Sequence, residues 1–345
     1  MTPPAPALRV GLFGAGGIAG VHAPAWRSLG AELLVHSTRG APDLVARFGG
    51  TVTDSLEELL DRVDVVDVVT PTATHADLAL AAIAAGKHVV CEKPLALTSH
   101  DATVMVEAAE QAGVRLFPAH VVRYFPAYAA AHAAVAAGRI GPPAVSRFRR
   151  VSAAPAQDWF FDVPRSGGIV MDQMIHDLDQ ATWLSGPVTE VFAQSVTRTA
   201  DSARTASATV TLTHASGAIS HCFGVWGHPH LPFSSSFELA GRDGLLRHDS
   251  AREDGVRLHL PPTPGGGYLP PADVATSPYT TQIVDFARAI REGSPAQVGG
   301  PDGIAAVRLA EAANESIRTG AVVALAGSDA DAPATGRPTT EEARR

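Results

Sequence analysis

The sequence predicts two α/β bodies in one chain: an N-terminal doubly wound parallel sheet, then a C-terminal α+β domain built on a large, mostly antiparallel open sheet. Three observations predict this. From Leu8 to about Ala119, short apolar runs alternate with segments of helical spacing. Those runs are continuously apolar, which implies burial on both faces and therefore parallel strands covered by helices. After about residue 143 the pattern changes to alternating small polar and apolar residues around glycine turns, the mark of antiparallel hairpins.

The N-terminal strands are read at "LRVGLF", "AELLVHS", "VDVVDVVT", "KHVVC" and "VRLFPA". Between them, "HADLALAAIAAG" (75–86) is helical and closes on Gly86 as a C-terminal cap. In the second half one helix is predicted over about 168–185. Hairpins follow, turning at Ser216-Gly217 and near Asp243-Gly244. Helices over about 279–292 and 301–319 come last, with Ile283, Phe286 and Ile290 on one stripe of the first. The division implied is 1–122 for the parallel domain, 123–326 for the substrate and oligomerisation domain, and 327–345 for a polar disordered tail. A helix-backed sheet leaves one face uncovered, so a homo-oligomer is expected.

Composition narrows the function. The chain of 345 residues carries a net charge of −8, against a nucleic-acid partner; "RFRR" (147–150) reads as the polar face of a strand. No apolar run is long enough to span a bilayer and no secretory signal opens the chain, so a cytoplasmic protein without a membrane partner is expected. Cys91 and Cys222 show neither disulfide nor metal spacing and read as small buried residues.

The first chemical signal is "GLFGAGGIAG" (11–20), where the first strand meets the first helix. Gly14, Gly16 and Ala19 fit G-x-G-x-x-G/A, with Gly17 and Ile18 in the same turn: the tight turn, the close backbone approach to a pyrophosphate, and helix packing on strand. A Rossmann site for NAD(P) follows. The tip of the second strand, His36-Ser37-Thr38-Arg39, has no acid to hold a ribose diol. Hydroxyls with a guanidinium suit a 2′-phosphate, so NADP is expected over NAD.

"VVCEKPLAL" (89–97) sets Lys93 between Glu92 and Pro94 at the end of a buried strand, where ligands bind in open α/β sheets. "MDQMIHDLDQATWL" (171–184) puts Asp172, His176 and Asp179 on one helical face, with Asp177 pointing away. Three readings of that face stay open: a divalent metal site, a histidine acid/base tuned by carboxylates, or a structural histidine. A nicotinamide domain favours the second, because alcohol oxidation needs a proton acceptor and a lysine ammonium beside the developing alkoxide; no metal is assigned. Trp159 and Phe160, just before this helix, are candidate pocket walls.

"GLFGAGGIA", "TPTATH" (70–75), "AGKHVVCEKPLALT" (85–98), "GRIGPP" (138–143) and "SGGIVMDQMIHDLDQATWLSG" (166–186) occur in that order. From about residue 8 to 325 the chain resembles the glucose–fructose oxidoreductase / inositol dehydrogenase (Gfo/Idh/MocA) family. The resemblance implies hydride transfer to or from a cyclic polyol or sugar, and a homodimer or homotetramer through the C-terminal sheet. It assigns Lys93 to nicotinamide ribose and substrate hydroxyl, with Asp172 and His176 completing the site, His176 exchanging the proton and Asp172 orienting it. Thr70, Pro71, His75 and Glu92 fall beside the nicotinamide. His120 and Arg123 face the site if their segment keeps the family's alignment, and Thr182 stands where the family commonly has arginine. An NAD-dependent glycosidase and a redox-silent cofactor sensor share the fold and remain alternatives.

Overall fold

The computed structural model describes residues 7–200, 203–252 and 277–325; the expected tail at 327–345 lies outside them. Six strands form the first sheet: β1 (Arg9–Phe13), β2 (Glu32–His36), β3 (Thr51–Val52), β4 (Val65–Val68), β5 (His88–Cys91) and β6 (Leu116–Pro118). Their order is β3-β2-β1-β4-β5-β6, every pairing parallel. The order reverses between β1 and β4, so the carboxyl ends of β1, β4 and β5 open on one crevice. Val10, Leu12, Val66, Val68, Val89 and Val90 are buried, as the continuous apolar runs require. Two-residue β3 carries no apolar run and escaped the sequence reading.

The second sheet holds β7 (Pro143–Ala153), β8 (Val188–Ala200), β9 (Ala203–His214), β10 (Ile219–Gly227), β11 (Ser234–Gly241), β12 (Leu245–Asp249) and β13 (Val323–Ala324), ordered β12-β11-β7-β10-β9-β8-β13. The β9–β10 and β11–β12 hairpins turn where expected, with His214 N donating to Ala218 O and Gly241 N to Gly244 O, both at 2.9 Å. Among the described strands, β7 and β10 make the parallel pair that joins the two hairpins. One face of the sheet is covered by helices; the other leaves Arg147, Arg149, Val196, Ile219 and Phe223 exposed. Both cysteines are buried and free, and no helix among the described residues is long and apolar enough to cross a membrane.

Two helices bind the bodies together. Helix Gly300–Thr319 lies close to the parallel sheet, where a Cβ on Gly303 would stand 3.0 Å from both Leu95 and Pro118. Its Ser316 Oγ accepts from Ala193 N of β8 at 2.9 Å. Helix Pro278–Glu292 follows β12 in sequence yet packs on the first body: Phe286 stacks on Phe117 at 4.8 Å, and Ile283 shares a core with Trp26 and Val10. A division at residue 122 therefore does not separate two self-contained cores.

The helix expected over 168–185 comes in two parts, a π turn at Val170–Met174 and an α-helix at Ile175–Ser185. Met174 plugs the sheet opposite Gly224 of β10, where a Cβ would come 2.5 Å from Met174 Cγ. Gly224→Ala should therefore cost about 1–3 kcal/mol by overpacking. It should also lower kcat, because the displaced turn carries Asp172; denaturant titration and steady-state kinetics check the two effects.

Candidate active site

The glycine turn follows β1 directly. Gly14 N donates to His36 O at 3.0 Å, and the turn needs a φ of +107° at Gly14, where a Cβ would meet Val69 O at 2.7 Å. A Cβ on Gly16 or Gly17 would meet nothing within 4 Å, so open space lies where a pyrophosphate must approach. Ala19 is buried, and the helix Ala19–Ser28 begins at Ile18 without a side-chain cap, its positive dipole end directed at the glycine turn. These residues fit a dinucleotide. At the tip of β2, Ser37 Oγ donates to Arg39 O at 2.8 Å and closes a small turn that leaves Thr38 and Arg39 exposed.

The crevice is lined by Ile18, Glu92, Lys93, Asp172, Gln173 and His176, together with Arg150, Phe233 and Tyr279. Its centre is Lys93, whose Nζ donates to Asp172 O at 2.8 Å and Oδ1 at 3.3 Å. Two residues remote in sequence, one at a strand tip and one in a π turn, thus meet across the two bodies. Glu92 Oε2 accepts from Lys93 N at 3.0 Å. Burial pushes the Glu92 carboxyl up, but His22 and Lys93 outweigh it and hold the group below the usual carboxylate range.

His176 lines the same crevice, partly buried. Its Nδ1 is buried without a hydrogen-bond partner among the described residues. Burial first, then the charges of Lys93 and Arg150, push its pKa well below the ordinary histidine value. The side chain is accordingly neutral at neutral pH, with Nε2 left to meet a substrate hydroxyl. Asp172 accepts from Lys93 Nζ through both its carbonyl and its carboxylate, and so positions the lysine.

Some expectations are corrected by geometry. His75 sets Nδ1 2.8 Å from Pro94 O and Nε2 2.9 Å from Thr70 O, so both ring nitrogens face protein carbonyls. It ties the loop after β4 to the loop after β5 rather than reaching a cofactor. Pro71 starts the short 3-10 turn Thr72–Thr74, and Thr70 Oγ1 accepts from Thr74 Oγ1 at 2.7 Å. Arg123 is buried away from the crevice, bidentate on Asp179 (Nε to Oδ2 2.9 Å) and 3.0 Å from Asp302. Asp179 is thereby paired with Arg123 and does not line the crevice that Asp172 and His176 share. His120 is fully buried, its ring nitrogens without partners among the described residues. Trp159 stacks on Phe160 at 3.8 Å, and neither ring lines the crevice.

Sequence reasoning also missed contributors. Arg150 shares the inward face of β7 with Phe148, while Arg147 and Arg149 point out. Asp177 holds it through Nε (3.2 Å) and Nη2 (2.8 Å), outweighing the burial that opposes its charge. The two-residue period of β7 carried the signal, hidden by reading "RFRR" as one polar cluster. Gln173 bolts the π turn to the sheet, accepting from Ser152 Oγ at 2.8 Å and donating to Arg150 O at 3.0 Å. Tyr279 arrives from the returning helix.

Arg123→Gln leaves Asp179 a buried charge without its bidentate partner, which should cost about 3–5 kcal/mol. Urea denaturation checks the loss; cofactor affinity, which Arg123 does not touch, should hold within error in the folded fraction.

Comparison with known proteins agrees with this geometry. Residues 8–120 match the oxidoreductase family with NAD-binding Rossmann fold, and 128–247 match the GFO/IDH/MocA C-terminal domain. Inositol 2-dehydrogenase of Rhizobium meliloti (strain 1021) is 31% identical, covering 90% of this chain and 97% of its own. 1,5-Anhydro-D-fructose reductase of Ensifer adhaerens is 41% identical over half of this chain and 54% of its own length. The crystal structure of GenD2 from gentamicin A biosynthesis, in complex with NAD, superposes with a TM-score of 0.83 at 29% identity, covering 94% of this chain and 97% of its own. With both domains matched and a relative aligned end to end, the chain belongs to the GFO/IDH/MocA oxidoreductase family with an NAD-binding Rossmann fold.

Proposed function

We propose that this protein is an NAD(P)-dependent dehydrogenase or reductase acting on a secondary alcohol or ketone of a sugar, inositol or related polyol. The observation that carries the reading is the Lys93–Asp172 contact beside a neutral His176, in a crevice at the carboxyl ends of parallel strands and next to an open glycine turn. The family relatives named for inositol and anhydrofructose support the substrate class.

A bound nicotinamide supplies the hydride acceptor, or donor in the reverse direction. Gly14, Gly16, Gly17 and Ile18 would hold the pyrophosphate, and Glu92 and Lys93 flank the reactive end. Lys93 donates a hydrogen bond to the substrate oxygen and stabilises charge developing there, its ammonium aimed by Asp172. His176 Nε2 takes up the hydroxyl proton during oxidation and returns it during reduction. Arg150 offers a polar anchor in the crevice lining. On the adenosine side, Ser37, Thr38 and the exposed Arg39, with no carboxylate beside them, support NADP over NAD. The exposed sheet face bearing Val196, Ile219 and Phe223 is the proposed surface for a homodimer or homotetramer.

Lys93→Met and His176→Ala should each lower kcat by about 10²–10⁴ while cofactor still binds, read from nicotinamide absorbance on a polyol and sugar panel; near-full turnover in either variant overturns the assignment. Because the His176 pKa is depressed, its basic form persists to lower pH. The oxidation rate should therefore stay flat as pH falls through the ordinary histidine value of 6.5 and drop only below it. Arg39→Ala should weaken NADP binding roughly ten- to a hundredfold and leave NAD binding unchanged, by fluorescence titration of both cofactors.

A further inference from the structure

Beneath the crevice floor lies a buried ionic chain that the reaction scheme above does not use. His22, on the helix that follows the glycine turn, is fully buried. Its Nδ1 stands 2.9 Å from Asp67 Oδ2 and its Nε2 3.2 Å from Glu92 Oε1, the second contact too oblique for a good hydrogen bond. Trp26 Nε1, one turn along the helix, donates to the same Asp67 oxygen at 2.7 Å. A neutral imidazole has one donor nitrogen and one lone pair. Set between two carboxylates out of water, it would turn that lone pair on one of them. The doubly protonated ring is the form that satisfies both sides.

We propose that His22 is a positioning residue of the hydride-transfer site: its imidazolium, clamped between Asp67 and Glu92, keeps Glu92 a carboxylate and so fixes the Lys93 backbone that aims Nζ at Asp172. The proposal rests on the reading of Lys93 given under Proposed function. The links are continuous: Glu92 spends one oxygen on His22 and the other on Lys93 N. Asp67 is fully buried in the middle of β4, where a carboxylate is costly without a cation.

The groups facing His22 agree. Asp67 comes from β4, Glu92 from beyond β5, and the Tyr279 ring from helix Pro278–Glu292 lies 6.3 Å away; Cys91, His75 and Lys93 adjoin Glu92. Burial opposes the charge on His22, but Asp67 and then Glu92 outweigh it, and its pKa is pushed up to about 10.

His22→Gln keeps a similar bulk and removes the charge. It should lower kcat about tenfold with cofactor Kd and polyol KM within about twofold, since the loss lies in aiming rather than in binding. Without the imidazolium, burial should raise the Glu92 pKa, so the kcat–pH profile should gain an acid limb at higher pH than any in wild type. Glu92→Gln and the double variant should be equally slow, the signature of two residues acting through one another. If His22→Gln does not fold by circular dichroism, Asp67→Asn replaces it, with the same new acid limb expected. ¹⁵N NMR of histidine-labelled wild type should show a doubly protonated imidazole at pH 8 that the variant loses. An unchanged kcat and pH profile with only a lower Tm, or additive losses in the double variant, overturns the positioning role. The NMR measurement needs no turnover, so the two readings fail separately. A neutral His22 in an active enzyme overturns the positioning role alone; a charged His22 in a protein that turns over no polyol overturns the functional reading and the positioning role with it.

Discussion

The structure depends on one contact between two bodies, the ammonium of Lys93 against Asp172 at 2.8–3.3 Å. A lysine at a strand tip is free to wander unless its backbone and its far end are both held. Glu92 holds the first through the Lys93 N–H, and the π turn holds the second by presenting both a carbonyl and a carboxylate. Much of the surrounding architecture serves to keep these two supports in register: Met174 plugged against Gly224, Gln173 tied to β7, and helix Gly300–Thr319 pressed close to the loop beyond β5.

Charge is arranged with similar economy. Inward-facing ions are paired across elements: Arg150 with Asp177, Arg123 with Asp179 and Asp302, Lys93 with Asp172. Each acid of the "MIHDLD" segment thereby acquires its own cation. The pairings leave His176 uncharged among them, since burial and two neighbouring cations disfavour its protonation. A neutral ring beside a fixed ammonium is the combination that alcohol oxidation requires.

Much of this was legible in the sequence, for reasons that differ by element. Continuous apolar runs at "RVGLF" and "HVVC" gave the parallel sheet because burial on both faces leaves no room for alternation. Glycine turns gave both hairpins. Lys93 was named because a charge at the tip of an apolar strand is out of place, and Asp172 and His176 because they share a helical face to which the family resemblance assigns the site. The π turn that carries Asp172 was not legible, because a helix read at 100° per residue assumes a regular repeat. Arg123 and His75 misled because a polar side chain near a site can equally be a brace, and sequence does not show which carbonyl or carboxylate it meets. His22 and Asp67 left a fainter trace: a histidine on the apolar helical stripe with Ala19, Ala23 and Trp26, and an acid inside "VVDV". Either one alone is an anomaly; together they imply a pair.

The returning helix Pro278–Glu292 has a consequence for the independence of the two halves. Trp26 and Phe117 belong to the dinucleotide-binding body, yet the residues that shield them, Ile283 and Phe286, come from a segment more than 150 positions downstream. A fragment ending at residue 122 would carry every glycine of the nucleotide turn and still expose the flank of its own sheet. The nucleotide-binding half is therefore not a detachable cassette. It is finished only when the chain, having built the substrate half, comes back to close it.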